Sequence, residues 1–246
     1  MIMRSTMRRF HLEASVAQDG ELVRAAQRLR YRVFGQELGA RLPSAPLGVD
    51  EDRFDPFCEH LVVRDVVSGE VVGTYRLLSS SAAMRAGGFY AETEFHLARV
   101  LQLPGLVEVG RACINPAYRD GAVLAFLWSA LARFVEASGF EHVMGCASIP
   151  VVDDGHGAAS LYRRLARDHL SPPEWRVLPR RPLPLERLVD EAEATVPTLL
   201  RGYLKMGAYL CGPPAWDEDF GCADVVVLLP MKRMRQRYRA HFLRAA

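Results

Sequence analysis

Charged residues inside otherwise apolar runs are the first candidates for chemistry in this sequence. Arg76 lies in the run GTYRLL, and Glu108 and Arg111 lie in VEVGRACI. Because burying a charge is costly unless it is paired, such carboxylate and guanidinium groups are candidates for acid–base and charge-pairing chemistry. The alternative interpretation is structural: Glu108 faces solvent or pairs with a cross-strand arginine such as Arg76.

The spacing of Glu108 and Arg111 bears on whether they share a site. Residues three apart on a regular strand face opposite sides of a sheet. The two share a face only if Gly110, which lies between them, marks a β-bulge, a feature over-represented next to active sites. Upstream, Asp52 and Asp55 belong to the acidic run DEDRFD, which by pattern alone is typical of a solvated loop.

Several other kinds of chemistry find no support in the sequence. It has no Ser–His–Asp order, P-loop or HExxH motif, and its seven histidines lack metal-ligand spacing. We therefore expect neither a metal site nor a serine nucleophile. The five cysteines form no CxxC pair and follow no secretory signal, which predicts a reduced, cytoplasmic protein. No apolar stretch reaches the roughly 18 residues of a membrane span.

The composition is typical of a soluble globular chain. Of 246 residues, 50% are hydrophobic and 24% are charged, which excludes the disordered and fibrous classes. The formal net charge of +2 argues against nucleic-acid binding as the main task. Both ends are nevertheless basic, with Arg4, Arg8 and Arg9 at one end and six cations without an acid in 231–246. Either these termini are merely solvated, or they contact an anionic membrane surface or an acidic carrier protein.

Periodicity places the candidate residues on a mixed α/β framework. Apolar steps of three and four predict a helix over about 20–36, and Gly121 opens another over 122–137. Strands are predicted at 60–67, 70–78, 106–114, 142–149 and 224–229, with further helices at 158–168 and about 196–207. The prolines of 170–186 indicate a long excursion or lid-like connection. We expect one domain, 1–246, with a core over about 10–169 and a C-terminal extension over about 170–246.

Ordered blocks of sequence also carry a resemblance to a known family. LRYRVFGQELG (29–39), DEDRFD (50–55), VVGTYRLL (71–78), FYAETEF (89–95), EVGRACINPAYR (108–119) and GCAS (145–148) resemble, in that order, the autoinducer-synthase-like branch of the GNAT N-acyltransferase superfamily. Within that branch, RGYLKMGAYLCGPPAWDEDF (201–220) and RYRAHF (237–242) resemble the ornithine lipid synthases, which are L-ornithine N-alpha-acyltransferases. The match spans about residues 28–242.

The resemblance implies both a fold and a reaction. The fold is GNAT-like α/β (α+β), with a mixed, mostly antiparallel sheet that is split by an acyl-donor cleft and flanked by helices. The reaction is transfer of a 3-hydroxy fatty acyl group to the α-amine of L-ornithine. The donor is acyl carrier protein, whose phosphopantetheine thioester is a co-substrate, and no separate cofactor is expected.

The resemblance also assigns residues on the acceptor side. The essential residues of the related acyl-homoserine lactone synthases fall on Arg30, Phe34, Asp52, Asp55, Arg76, Glu108 and Arg111. We expect Glu108 to be the general base that deprotonates the amine, directly or through water. Arg76 or Arg111 is expected to bind the substrate carboxylate, and Asp52 with Asp55 its distal ammonium. In the alternative interpretation the two acids mainly hold the N-terminal helix and loop together.

On the donor side, the pantetheine arm is expected between the strands at 106–114 and 141–149. Val109, Cys146 and Ser148 lie on these strands. Backbone N–H groups of the separating strands would stabilise the tetrahedral intermediate. A covalent acyl-Cys146 is not expected, because the resemblance implies direct transfer.

A turn at 116–122 bears on the identity of the donor. Ordinary GNAT acetyltransferases have a Q/R-x-x-G-x-G/A turn there, which binds the coenzyme A pyrophosphate. Only Arg119 and Gly121 of that pattern remain, which favours a carrier protein with a single phosphate. Arg119 either binds that phosphate or only caps the turn. Trp128 and its apolar neighbours are candidates for the acyl slot.

Two alternative functions stay open. One is enzymatic: an acyl-homoserine lactone synthase, or an N-acyltransferase for another amino acid. The other is a basic peripheral-membrane protein that binds lipid or carrier protein without turnover. The preferred expectation is a cytoplasmic acyltransferase that associates with the inner membrane face, if at all, through its basic termini.

Overall fold

The computed structural model describes residues 11–189 and 194–244, in which a central sheet carries helices on both faces. The strands in these ranges are β1 (Leu12–Val16), β2 (Glu59–Asp65), β3 (Val71–Ser79), β4 (Phe95–His96), β5 (Leu106–Ile114), β6 (His142–Pro150), β7 (Leu178–Pro179), β8 (Tyr209–Leu210), β9 (Ala215–Asp217) and β10 (Cys222–Pro230). The α-helices are α1 (Gly20–Arg30), α2 (Ser80–Ala86), α3 (Ala122–Ala137), α4 (His156–His169), α5 (Thr198–Met206) and α6 (Gln236–Arg244). The basic residues Arg4, Arg8 and Arg9 lie outside the described residues.

Eight strands form the main sheet. Their order is β1-β2-β3-β5-β6-β10-β8, and β9 also pairs with β10. Every pair is antiparallel except β5 with β6. β4 and β7 form a separate two-stranded sheet. The predicted mixed, mostly antiparallel sheet is therefore confirmed, and the predicted strands and helices fall within a few residues of those observed.

The helices divide between the two faces of the main sheet. α1 packs through Ala26 and Leu29 on Val62, and we call this side the α1 face. α3 packs through Leu127 on Val63 on the opposite side, the α3 face, which also carries α4, α5 and α6. Because successive strand residues point to opposite faces, neighbours such as Val62 and Val63 contribute to different cores.

Helix α1 begins at a capped residue and changes its geometry near its end. The Asp19 side chain accepts a hydrogen bond of 2.8 Å from the Leu22 N–H, which satisfies a donor that the first turn leaves free. After Arg30 the chain continues as a π-helical turn, Tyr31–Glu37, rather than as the α-helix predicted over 20–36. π-Turns are rare and frequent at functional sites, and this one carries the predicted site residue Phe34.

β5 and β6 form a parallel pair that soon separates. Their ladder joins only Leu106–Glu108 to His142–Met144, although both strands continue. At the point of separation, a Cβ built on Gly145 would lie 2.2 Å from the Val109 carbonyl oxygen. Only glycine permits this close approach of the two backbones. The cleft predicted between these strands is therefore present.

Strand β5 also contains the β-bulge that Glu108 and Arg111 need in order to lie on the same face of the sheet. Between Thr74 and Arg76 the pairing of β3 with β5 shifts, so that β5 contains one extra residue. Arg111, not Gly110, takes the left-handed conformation, with φ 50°. The bulge restores Arg111 to the α1 face, where Glu108 also lies.

Backbone hydrogen bonds hold the proline-rich connection at 170–186 against other parts of the chain. The Val177 N–H donates to the Cys211 carbonyl at 2.6 Å, and the Arg180 N–H donates to the Glu94 carbonyl at 2.7 Å. Val177 is buried in the core of the α1 face. Of the two forms predicted for this segment, the structure shows an ordered excursion that passes around the edge of the sheet.

Two further findings bear on expectations from the sequence. None of the helices in the described ranges is both long enough and apolar enough to span a bilayer. All five cysteines lie in those ranges, and every one is a free thiol.

Candidate active site

Helix α1 and the acidic run are joined by a buried arginine. Arg30 is fully buried and donates through Nε to Asp50 at 2.8 Å, and through both terminal nitrogens to the Asp55 carboxylate, at 2.7 and 3.1 Å. It also donates to the Asp50 carbonyl at 2.6 Å. Each of these contacts ties the first helix to the acidic loop, as the structural interpretation of the acids predicts.

Two strand arginines extend this cluster toward the centre of the sheet. Arg76 on β3 donates to Asp52 at 2.6 Å and to Asp55 at 2.9 Å. Arg111 on β5 donates to Asp52 at 3.2 Å, and its Nε lies 3.1 Å from Asp50 Oδ2. The cluster of Arg30, Arg76, Arg111, Asp50, Asp52 and Asp55, here called the Arg–Asp network, balances three cations with three anions.

Exposure separates the network into an inner and an outer part. The side chains of Arg30, Asp55 and Arg76 are at most 5% exposed, whereas those of Arg111 and Asp52 are 12% and 23% exposed. Burial alone raises the pKa of Asp55, but the hydrogen bond and charge of Arg30, with the charge of Arg76, lower it well below its usual value. Only the outer pair therefore has surface left for a substrate.

Glu108 is anchored differently from the aspartates. It is 5% exposed, and its two carboxylate oxygens accept backbone N–H groups from Tyr90 and Ala91, both at 2.7 Å. Burial raises its pKa to about 7, although these two hydrogen bonds and the charges of Arg76 and Arg111 act in the opposite direction. A carboxylate that exchanges a proton near neutral pH is suited to acid–base catalysis.

Aromatic rings enclose the outer arginine. The Arg111 guanidinium lies 4.7 Å from the Tyr90 ring centroid and 4.9 Å from that of Phe220. Phe220 in turn makes an edge contact with Phe34, with the ring centroids 5.8 Å apart. Phe34 therefore reaches the site through Phe220. The Tyr90 and Phe220 rings hold the Arg111 guanidinium on the α1 face by cation–π attraction and packing.

An apolar cavity extends from the strand separation to the α3 face. Its walls include Val109, Val143, Met144, Trp128, Tyr203 and Phe242. Trp128 donates to the Tyr75 hydroxyl at 3.2 Å, and the Tyr75 and Tyr203 hydroxyls are 2.6 Å apart. The structure thus brings Val109 and Trp128, both predicted on the donor side, to one cavity.

Cys146 lies on the α1 face, packed against its core. Burial, with the nearby carboxylates Glu94 and Asp224, raises the pKa of its thiol well above the usual value. The thiolate that a covalent mechanism needs is therefore disfavoured. Ser148, two residues further along β6, pairs in register with Asp224 of β10.

The turn proposed for the donor phosphate has other partners in this structure. Arg119 donates to both carboxylate oxygens of Glu37, at 2.6 and 2.8 Å, and through Nε to the Ile114 carbonyl at 3.1 Å. Gly121, with φ 100°, precedes α3. Arg119 thus closes the turn, as the capping interpretation predicts, and its binding of phosphate stays a prediction.

Several residues that the structure places at the site were not predicted from the sequence. Asp50 belongs to the acidic run, where its position beside Asp52 was a usable signal. Tyr90, Glu94 and Phe220 lie in blocks that carry the family resemblance, but nothing in their types or spacing indicates that Tyr90 and Phe220 contact Arg111, or that Glu94 lies beside Cys146 and Asp224. Those contacts depend on how distant loops meet on one face of the sheet.

Comparison with known proteins defines the class. A family model described as an acetyltransferase (GNAT) domain matches residues 29–129. Among solved structures, the CoA-dependent acyl-homoserine lactone synthase BjaI with MTA superposes with a TM-score of 0.56 at 18% identity, covering 94% of this chain and 86% of that one. FeeM, an N-acyl amino acid synthase from uncultured soil microbes, gives 0.53 at 11% identity, covering 91% and 94%. The fold is therefore that of the GNAT acyltransferases, as predicted.

Sequence relatives narrow the class to a family. L-ornithine N(alpha)-acyltransferase from Brucella abortus (strain 2308) is 34% identical, covering 94% of this chain and 88% of the relative. The protein of the same name from Rhodobacter capsulatus is 35% identical, covering 94% and 95%. The chain belongs to the L-ornithine N(alpha)-acyltransferase family and is an acyltransferase.

Proposed function

We propose that this enzyme transfers a 3-hydroxy fatty acyl group from acyl carrier protein to the α-amine of L-ornithine. The observation that carries the proposal is the position of Glu108, a buried carboxylate with a pKa raised to about 7, on the strand that separates from β6 directly after it. The names of the sequence relatives support ornithine as the acceptor. The reaction forms an amide N–C bond and breaks the thioester C–S bond, releasing the carrier thiol.

The first chemical requirement is a neutral amine. An α-amino group has a pKa of about 8, so much of it is protonated and unreactive at neutral pH. Each oxygen of Glu108 accepts one backbone hydrogen bond and keeps a further lone pair, with which it takes the amine proton directly or through water. The same proton is then available for the departing thiolate.

The second requirement is stabilisation of the tetrahedral intermediate. Because the β5–β6 ladder ends at Glu108 and Met144, the backbone N–H groups beyond it that face the gap have no strand partner there. These groups are our candidates for the oxyanion donors. The thioester would lie in the gap, with its acyl chain in the cavity lined by Val109 and Trp128.

The third requirement is recognition of the amino acid. Arg111 is our candidate for the α-carboxylate. Each arginine contacts two aspartates, but the side chain of Arg111 is 12% exposed whereas that of Arg76 is only 5% exposed. The pairing of Asp52 with Asp55 as an ammonium site fits this geometry poorly. Both oxygens of Asp55 are already engaged by Arg30 and Arg76, which favours its structural role.

Peripheral membrane contact through the basic C-terminus is a further part of the proposal. Phe242 of α6 is 4% exposed and packs against Trp128, with the ring centroids 5.8 Å apart. Because this apolar side of α6 already packs within the protein, contact with a bilayer would be electrostatic, through cations such as Arg235 and Arg237. We expect sedimentation with phosphatidylglycerol vesicles that falls steeply between 50 and 500 mM salt, and no sedimentation with neutral vesicles.

Product analysis tests the proposed reaction. Purified protein is given 3-hydroxyacyl carrier protein, or the matching acyl-CoA, with an equimolar amino-acid panel and S-adenosylmethionine, and products are identified by mass spectrometry. We expect N-acyl-ornithine from the carrier-protein donor. Release of methylthioadenosine would indicate a lactone synthase instead. Faster turnover with acyl-CoA than with acyl carrier protein would show that coenzyme A carries the acyl donor. Carrier protein that binds without turnover would indicate a binding protein.

A further inference from the structure

A second group of acidic residues lies on the α1 face, separate from the Arg–Asp network. Glu94 directly precedes β4, Asp217 ends β9, and Asp224 lies on β10. Side-chain ligand atoms of Glu94, Cys146 and Asp224 all lie within 4.8 Å of one another, as do those of Asp217, Cys222 and Asp224. Asp224 therefore lies between two other carboxylates, those of Glu94 and Asp217, which come from distant parts of the chain.

This acidic cluster lacks the cations that neutralise the other one. Within residues 11–189 and 194–244, no ion pair joins Glu94, Asp217 or Asp224 to a basic side chain. Both carboxylate oxygens of Glu94 are inaccessible to solvent, and neither accepts a hydrogen bond from a described residue. Asp224 is only 4% exposed and accepts a hydrogen bond of 3.4 Å from the Cys222 thiol. Buried carboxylates without a cationic partner are costly, which points to a cation that binds there.

The cluster adjoins the proposed base and the proposed carboxylate site. Cys146 lies close enough to Glu94, Asp224 and Glu108 for all three carboxylates to raise the pKa of its thiol, after burial itself. The Tyr90 ring stacks on the Arg111 guanidinium, and its hydroxyl is also a polar neighbour of Glu94. A molecule lying along Tyr90 and Cys146 would therefore meet Arg111, Glu108 and the acidic cluster.

We infer that Glu94 and Asp224 bind the side-chain ammonium of the amino-acid acceptor. This inference rests on the proposed function and completes the acceptor site. Arg111 would bind the α-carboxylate, Glu108 would take the proton from the α-amine, and the acidic cluster would select an acceptor with a second amine. An ammonium offers three N–H donors, which suit several carboxylate oxygens from different elements.

The protonation of the acidic cluster is consistent with this role. Burial, followed by the charges of Asp224 and Asp217, raises the pKa of Glu94 to about 9. Burial also raises the pKa of Asp224, and the other groups that face the pair are Ser148, Cys146, Cys222 and Tyr90. Glu94 therefore carries a proton at neutral pH, which an incoming ammonium would replace.

Paired substrates separate this inference from the proposed function itself. L-Norvaline has the carbon skeleton of ornithine without the terminal amine, so both are assayed as acceptors with 3-hydroxyacyl carrier protein. The variants are Glu94→Gln and Asp224→Asn, which keep side-chain shape and remove charge. Glu218→Gln is the matched control, because this acid lies on the same loop as Asp217 but pairs with Arg181 at the surface.

We expect wild type to prefer ornithine over norvaline by at least about 100-fold in kcat/KM, since a site built for a polar group rejects the analogue that lacks it. Glu94→Gln and Asp224→Asn should lower kcat/KM for ornithine about 100-fold, mainly through KM, and leave norvaline within about threefold. Retained norvaline turnover shows that the variants fold. Glu218→Gln should behave as wild type with both acceptors.

Other outcomes would overturn the inference. If wild type acylates ornithine and norvaline equally, or the variants lose both activities together, the cluster does not select the side-chain amine, although the proposed reaction stands. A stoichiometric divalent metal that is detected by mass spectrometry in wild type and lost in Glu94→Gln would assign the cluster to a metal instead. If wild type acylates neither amino acid, the proposed function itself fails.

Discussion

Two carboxylates on the α1 face show how different partners give different roles. Asp55 accepts hydrogen bonds from Arg30 and Arg76, which lower its pKa, whereas Glu108 accepts hydrogen bonds from two backbone N–H groups and has a pKa that burial raises to about 7. Charge pairing makes the first a fixed anion, and burial with neutral donors makes the second able to exchange a proton. The difference leads to separate predictions for the two residues.

The activity of wild-type enzyme should follow the ionisation of Glu108. Because the base must be deprotonated, kcat/KM is expected to rise as the pH increases through about 7 and then to level off. Glu108→Gln should lower kcat by about 10²- to 10⁴-fold and remove this dependence. Glu108→Asp keeps a carboxylate, so partial activity with a retained pH dependence is the control. A pH profile that is unchanged in Glu108→Gln would contradict the assignment.

Asp55 should matter for stability rather than for substrate affinity. Asp55→Asn leaves Arg30 and Arg76 underpaired in a buried setting, so the free energy of unfolding should fall by about 3–5 kcal/mol in urea denaturation. Since folding lowers the pKa of Asp55, its contribution is present above the unfolded value of about 4 and is lost below it.

Asp52→Asn is the matched comparison for Asp55→Asn. Asp52 is the more exposed of the two, with 23% of its side chain accessible, so its loss should cost about 1 kcal/mol or less of stability. Equal destabilisation by the two substitutions would contradict the division of the Arg–Asp network into inner and outer parts.

At the residue scale, the sequence identified most of the charged residues of the site but not their partners. Arg76, Glu108 and Arg111 were recognisable because charges in apolar strands require an explanation. Glu94 and Asp224 were not, since they are 130 positions apart and meet only because β10 pairs beside β6. Proximity of this kind follows from sheet order, which a single sequence does not contain.

At the scale of elements, local patterns predicted most boundaries well. Strand β5 and helix α3 have the bounds expected from apolar runs and from the glycine before α3. The π-turn after Arg30 was missed, because its wider hydrogen bonding leaves no mark in the spacing of apolar residues. The bulge was foreseen as a condition, but its left-handed residue is Arg111 rather than the neighbouring glycine.

Helix α5 offers a test of how elements dock. Alanine normally stabilises a helix relative to glycine by about 1 kcal/mol. At Gly202, however, a Cβ would lie 2.2 Å from the Trp128 ring, so Gly202→Ala should instead destabilise the protein by about 1–3 kcal/mol. Thermal unfolding measures the sign.

Gly20→Ala, at the first position of α1, is the control for Gly202→Ala. Its Cβ would have nothing within 4 Å, so this substitution should leave the melting temperature unchanged or slightly higher. Stabilisation by Gly202→Ala would show that α5 does not pack on Trp128 as described.

At the scale of the whole molecule, alternation of strands and helices was enough to predict the class of fold. It could not give the order of strands, because that order depends on long-range pairing such as β10 with β6 and β3 with β5. Nor could it show that the excursion at 170–186 joins the core of the α1 face through Val177. These features arise from the burial of apolar surface by segments distant in sequence.

The short ladder between β5 and β6 has a consequence for dynamics. Hydrogen bonding across the sheet passes through only three residue pairs at this point, whereas β6 and β10 are joined along nine. Within the main sheet, β1, β2, β3 and β5 on one side and β6, β8, β9 and β10 on the other should therefore open as two separate cooperative units, with different free energies of opening in native-state hydrogen exchange. Because an acyl donor bound in the gap would contact both strands, it should couple the opening of the two units. The two hydrogen-exchange phases should then merge into one.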